Sequence, residues 1–356
     1  MRKLIYILFL VFGCQNNSIA EDKNLYKADW DFMFNPNSFK QDFSKYDQLT
    51  STICCQLSYL AYYSPSDIKY AEAEFNKYFP NTIIKIKYLD EKDTGTELIF
   101  FGTKNFVIVA FRGTEISKIK DLVTDAKYFS YRTKKVFRDN WKNIPPGHGG
   151  FRTAIKKTCD AGILDSLNIF MTELGINDAD KQSIPIYTTG HSLGAGLAVM
   201  FIEPLKYEPY HFNYSGTYAF CPPLMISSLV QDKAEVDQFK KENAKLIHNI
   251  VHYRDYVTRA GKNHKSVLEH VGHYYRICLN QDIVKNNSLA IRFDKARRFK
   301  VLKYHTITNV LRYIQYAKND NVLLEKRTEA ECLCDEDTNQ KYSKKLVPIE
   351  SVAPID

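Results

Sequence analysis

Hydrophobic positions along this chain fall into two rhythms. Short, β-rich apolar stretches at residues 97–102, 107–111, 184–189, 216–220 and 246–253 have the length and composition of buried strands. Between them lie longer stretches that predict helices over 50–63, 151–173, 227–245 and 306–316, and a run of small and apolar residues that predicts another over 195–201. Residues 97–102 and 106–111, separated by Thr103-Lys104-Asn105, predict a hairpin. Residues 83–89 partly alternate, as a strand does. Residues 274–279 predict an edge strand, and a further helix is expected near 121–129. From Asn319 onward the chain is charged and poor in core residues. Strands that alternate with helices argue for an α/β architecture: a mostly parallel central sheet with helices on both faces. Active sites of such sheets lie beyond the carboxyl ends of the strands.

One strand-to-helix junction carries chemistry. Gly190-His191-Ser192-Leu193-Gly194 reads G-x-S-x-G, with the strand 184–189 before it and the small-residue helix after it. A serine on such a turn presents its hydroxyl, and the helix N-terminus favours negative charge developing beside it. Serine needs an imidazole to take its proton, and the imidazole needs a carboxylate to orient it. In the α/β-hydrolase order both follow the serine, which excludes His148 and His191 as the base. Asp255, just past the strand 246–253, has the position of the acid. His264, His270, His273 and His305 remain for the base; on position alone His305 and His270 are close rivals. The oxyanion hole needs two N–H donors. Leu193 follows the nucleophile, and Thr114 follows the central strand 107–111.

Composition narrows the picture. The chain has 356 residues, with 49 basic and 41 acidic side chains and a net charge of +8. The charges are interspersed, which favours a solvated surface over nucleic-acid binding and leaves room for transient contact with a lipid interface. Arg2 and Lys3 followed by the apolar residues 4–12 predict a signal peptide. Ser18-Ile19-Ala20 offers a cleavage site giving a mature start at Glu21. Val11-Phe12-Gly13-Cys14 offers instead a lipoprotein box with an acylated Cys14, although Phe12 is bulky for it. A secreted or periplasmic chain is expected, membrane-anchored if Cys14 is lipidated. No other apolar run approaches the length needed to span a bilayer, so no transmembrane segment is expected in the mature chain. Of eight cysteines, the Cys332-x-Cys334 pair lacks zinc spacing and partner ligands, and no metal site is read. The expected organisation is a signal peptide at 1–20, a lead-in at 21–49, a catalytic domain at 50–317 and a charged tail at 318–356.

Several motifs in order resemble the class 3, fungal-type lipase family: residues 109–114 (VAFRGT), 121–125 (DLVTD), 148–151 (HGGF), 190–198 (GHSLGAGLA), 218–223 (YAFCPP) and 249–257 (NIVHYRDYV). The resemblance covers about residues 50–317. It implies the α/β-hydrolase fold and no cofactor. It implies Ser192 as nucleophile, Asp255 as acid, and oxyanion donors at Thr114 and Leu193. The family's base opens a late segment some fifty residues after the acid, which favours His305 over His270. Lipid acyl esters are the implied substrates. Two features depart from the family. Cys221-Pro222-Pro223-Leu224 stands where the family often has a glycine and, after the proline, a basic residue. The segment 115–120 (EISKIK) has only two apolar side chains in the place of the lid, which keeps esterase or phospholipase activity open. Acyl transfer to a non-water acceptor and a catalytically silent binding module are the alternatives.

Overall fold

Successive side chains of a strand point to opposite faces, and two neighbouring phenylalanines display the consequence. The ring of Phe100 meets Phe170 at 5.4 Å on one side of the sheet. The ring of Phe101 meets Phe75 at 5.5 Å on the other. The computed structural model describes residues 34–93, 95–113, 144–207, 209–229, 232–252, 255, 257–259, 268–277, 283–286 and 305–315. Its elements lie within one unit spanning residues 35–343. The expected signal peptide and Cys14, the lid segment 115–120, the helix near 121–129, His264 and the charged tail fall outside the described residues, as does Thr114.

The strands are β1 (Lys85–Glu91), β2 (Thr96–Gly102), β3 (Val107–Phe111), β4 (Pro185–His191), β5 (Asn213–Phe220), β6 (Ile226–Ser227), β7 (Ile247–His252), β8 (Leu268–Glu269), β9 (His273–Ile277) and β10 (Ile283–Asn286). Eight of them form one sheet in the order β1-β2-β3-β4-β5-β7-β9-β10, and β6 pairs with β8 separately. β3, β4, β5, β7 and β9 run parallel. The β1–β2–β3 end and the β9–β10 end are antiparallel. The expected hairpin is thus β2–β3. The expected edge strand is an inner one: β9 has β7 on one side and β10 on the other. Parallel strands in the middle of a sheet are buried on both faces, so β3 is apolar throughout and every residue of it is buried.

The helices are α1 (Gln48–Leu60), α2 (Pro65–Tyr78), α3 (Gly149–Asp160), α4 (Ile163–Glu173), α5 (Leu193–Met200), α6 (Ile202–Lys206), α7 (Lys233–Asn243) and α8 (Ile307–Gln315). Asp47 caps α1 by accepting from the Thr50 N–H at 2.8 Å. Ser64-Pro65 ends the first helical run and also starts α2, since Ser64 is its N-cap and Pro65 its first residue. The single helix expected over 151–173 is two helices. Gly162, with φ +85°, separates α3 from α4.

α3, α4 and α5 share one face of the sheet with Leu98, Phe100, Val107, Val109, Phe111 and Ile186. α1 and α2 cover the other. There Ser58 of α1 meets the Thr189 hydroxyl at 3.0 Å, and Thr189 donates to the Tyr218 carbonyl at 2.8 Å. α8 packs on α1, and the Gln48 side-chain amide donates to the Ile314 carbonyl at 2.8 Å. Helices thus cover both faces of a mostly parallel sheet, the α/β architecture expected from the sequence.

The backbone packs closely on itself where β4 passes into α5. A β-carbon on Gly194 would collide with the Phe111 carbonyl and the Arg112 backbone, and one on Gly190 would collide with the Gly194 backbone. Neither obstacle is a flexible side chain. Gly194→Ala is therefore expected to destabilise the fold by on the order of 1–3 kcal/mol, read by chemical denaturation. An unchanged unfolding midpoint would show that β3 and α5 have room to separate.

Candidate active site

β4 ends at His191 and α5 begins at Leu193, so Ser192 alone turns the chain. Its backbone is left-handed, φ 58° and ψ −125°, a conformation that costs an L-residue of order 1–3 kcal/mol. The surroundings hold it there. The Ser192 N–H donates to the Phe220 carbonyl of β5 at 2.9 Å, and the glycines on either side allow β3 and α5 to close in. Leu193, half-buried, is the first residue of α5. The leading N–H groups of a helix have no partner within it, so they remain available to an anion.

Three side chains distant in sequence meet at this turn. His305 Nε2 lies 2.7 Å from Ser192 Oγ. His305 Nδ1 lies 2.7 Å from Asp255 Oδ2. All three residues are buried. A carboxylate can only accept, so His305 donates its Nδ1–H to Asp255 and keeps the Nε2 lone pair facing the serine hydroxyl. Asp255 is held in turn. Its Oδ1 accepts from the Val257 N–H at 2.9 Å, and its carbonyl accepts from the Thr258 hydroxyl at 2.9 Å. The arrangement suits proton transfer from the serine to the imidazole while the carboxylate stabilises the cation.

Of the two rival histidines, only His305 reaches Ser192. His270 donates from Nε2 to the Thr258 carbonyl at 3.1 Å, and burial pushes its pKa down to about 4. Thr114 lies outside the described residues, so the site holds Leu193 as the described member of the proposed donor pair.

The family model for class 3 lipases matches residues 108–290, just over half of the 356 residues. The chain belongs to the class 3 lipase family. It is a lipase-type serine hydrolase, a carboxylic ester hydrolase on an α/β-hydrolase fold. None of the curated proteins matches it. Among solved structures it is similar to lipase II from Rhizopus niveus at 18% identity, covering 66% of this chain and 79% of that one, with a TM-score of 0.43. It is similar to the Rhizomucor miehei triacylglyceride lipase at 17% identity, covering 73% and 91%, with a TM-score of 0.48. It is also similar to a triacylglycerol lipase from Penicillium expansum at 16% identity, covering 68% and 85%, with a TM-score of 0.46.

Two residues of this lipase's site escaped the sequence reading. His191 sits inside the elbow, fully buried. Burial, and then the neighbouring His305, hold its pKa well below the usual imidazole value. The neutral ring donates from Nε2 to the His305 carbonyl at 2.6 Å and accepts at Nδ1 from the Tyr62 hydroxyl, 2.9 Å away. Eliminating His191 as the base left its backbone-holding contact unread, although its place next to the serine was the available signal. Cys221 is the second. It follows β5 with φ 51°, unusual for a residue with a side chain, and burial pushes its thiol well above the ordinary range.

Acid should loosen the enzyme through its buried histidines. His270 takes up its proton near pH 4 in the folded state and near 6.5 in the unfolded chain. Between these values the unfolded chain binds more protons, so stability is present above pH 6.5 and is lost as pH falls towards 4. From pH 7 to pH 4 the wild type should lose about 3 kcal/mol more unfolding free energy than His270→Gln, which keeps an N–H donor without titrating. Parallel denaturation curves at both pH values would contradict this.

Proposed function

We propose that the protein is an exported lipase that cleaves lipid acyl esters through Ser192, His305 and Asp255 by way of an acyl-enzyme. The observation that carries this reading is the unbroken hydrogen-bond chain from Ser192 Oγ through the His305 ring to Asp255, each link 2.7 Å, at a strained elbow.

In the first half-reaction His305 Nε2 accepts the Ser192 proton as Oγ attacks the ester carbonyl carbon. Negative charge moves to the carbonyl oxygen. The N–H of Leu193 holds it, together with that of Thr114, and losing one such donor raises the barrier by on the order of 3 kcal/mol. His305 then gives its proton to the leaving alcohol, and the acyl group remains on Ser192. In the second half-reaction His305 takes a proton from water, which attacks the acyl carbonyl, and returns it to Ser192 as the fatty acid leaves. Asp255 keeps its charge throughout and steadies the imidazolium. The chemistry calls for no metal or organic cofactor.

Lipid as substrate is supported by membership of the class 3 lipase family. Among the described residues no helix is long and apolar enough to cross a membrane. Contact with a lipid interface is proposed as transient. Export is supported by the charged, apolar and small-residue order of residues 1–20, with the mature chain starting at Glu21.

The test is hydrolysis of p-nitrophenyl esters of graded chain length beside triglyceride and phospholipid emulsions. His305→Ala should lower kcat by roughly 10⁴-fold or more, while His270→Ala keeps most of the activity at neutral pH. Activity on soluble short esters with none on either emulsion would overturn the choice of lipid. Loss of activity in His270→Ala with its retention in His305→Ala would overturn the choice of base.

A further inference from the structure

His191, Cys221 and His305 converge from three elements: the end of β4, the residue after β5 and the approach to α8. All three are buried, and their ligand atoms lie within 4.8 Å of one another. We propose that these three side chains form an inhibitory binding site for a thiophilic cation of the zinc class, which switches the enzyme off by taking the His305 lone pair. The inhibitory part rests on His305 being the base.

The donor set decides the chemical class. One sulfur and two imidazole nitrogens suit a borderline or soft ion, whereas magnesium and calcium call for oxygen ligands. Around tetrahedral zinc such donors stand about 3.3–3.6 Å apart, given bonds of about 2.0–2.3 Å. The three groups therefore need to close by only about an ångström or so to bind the ion. The fourth position would go to water or to Ser192 Oγ, which already lies 2.7 Å from His305 Nε2.

The supporting shell is already in place. A ligating histidine is normally fixed through its other ring nitrogen by a carboxylate or a carbonyl. His305 Nδ1 is held by Asp255 at 2.7 Å. Whichever nitrogen of His191 turns to the ion, the other retains a partner, either the His305 carbonyl at 2.6 Å or the Tyr62 hydroxyl at 2.9 Å. Charge balances as well. The Cys221 thiolate and the Asp255 carboxylate together offset a divalent ion, which makes its burial tolerable. On binding, the Cys221 S–H bond gives up its proton to solvent and a sulfur–metal bond forms. The Ser192 hydroxyl loses its acceptor, and the nucleophile is no longer activated.

The experiment measures hydrolysis of a short p-nitrophenyl ester by EDTA-treated protein as zinc is added, each variant read against its own metal-free rate. The wild type should be inhibited by zinc, be restored by EDTA and be indifferent to magnesium. Cys221→Gly, whose new residue suits the φ of 51°, should need at least ~10-fold more zinc for the same inhibition. A second readout needs no turnover. Cobalt added to Ser192→Ala should give a thiolate-to-metal charge-transfer band that Ser192→Ala/Cys221→Gly lacks. Equal zinc sensitivity with and without Cys221, or no such band, would overturn the proposal. A band in a protein that hydrolyses no ester would support the metal site and count against the hydrolase reading alone.

Discussion

The site depends on one residue of backbone held where an L-amino acid resists going. Ser192 has φ 58° between a strand and a helix, and the strain of order 1–3 kcal/mol is offset by everything packed around the turn. β4 lies between β3 and β5, with Ile186 and Tyr187 buried on opposite faces. Burial of each such side chain contributes roughly 1.5–3 kcal/mol, so a few residues of the sheet outweigh the strained turn. Relaxing the turn would require β3, β5 and α5 to move together, because Gly190 and Gly194 already stand in backbone contact with their neighbours. The hydroxyl is therefore aimed by the core of the fold rather than by a loop.

The partner imidazole is placed by a second long-range device. His305 comes 113 residues after Ser192 and just ahead of α8. α8 is docked on α1, and His191 fastens the His305 carbonyl beside the elbow. The residue adjoining the nucleophile thus grips the backbone of the residue facing it. Burial holds the His191 pKa well below the usual imidazole value, which keeps the ring neutral, and the His305 carbonyl fixes the proton on Nε2. The same crowding brings the Cys221 sulfur to the rings, so the arrangement that serves proton transfer also presents a soft-metal ligand set.

What could be read from sequence was what is local. The elbow is a contiguous motif whose small residues mark close backbone approach, and β3 declares its central position by unbroken apolar character. Asp255 was legible because it lies just beyond the end of β7. The choice between His305 and His270 was not, on position alone. Both follow the acid, and what separates them is the docking of α8 on α1 and the Thr258 carbonyl that engages His270. The misread elements share a cause. β9 passed for an edge strand because its neighbour β10, Ile283–Asn286, is four residues long and carries no pattern of its own. The break at Gly162 is a matter of one backbone angle within an otherwise helical rhythm. Neither the His191 contact nor the Cys221 cluster has a spacing signature, since each joins residues from separate elements far apart in sequence.

The central claim is that His305 makes Ser192, and no other serine, nucleophilic. Labelling the folded protein with a fluorophosphonate, followed by peptide mass mapping, tests it most directly. The account predicts one phosphonate per chain, on Ser192, and none within the same time in His305→Ala. A label on a different residue, or equally fast labelling of Ser192 without the imidazole, would contradict it.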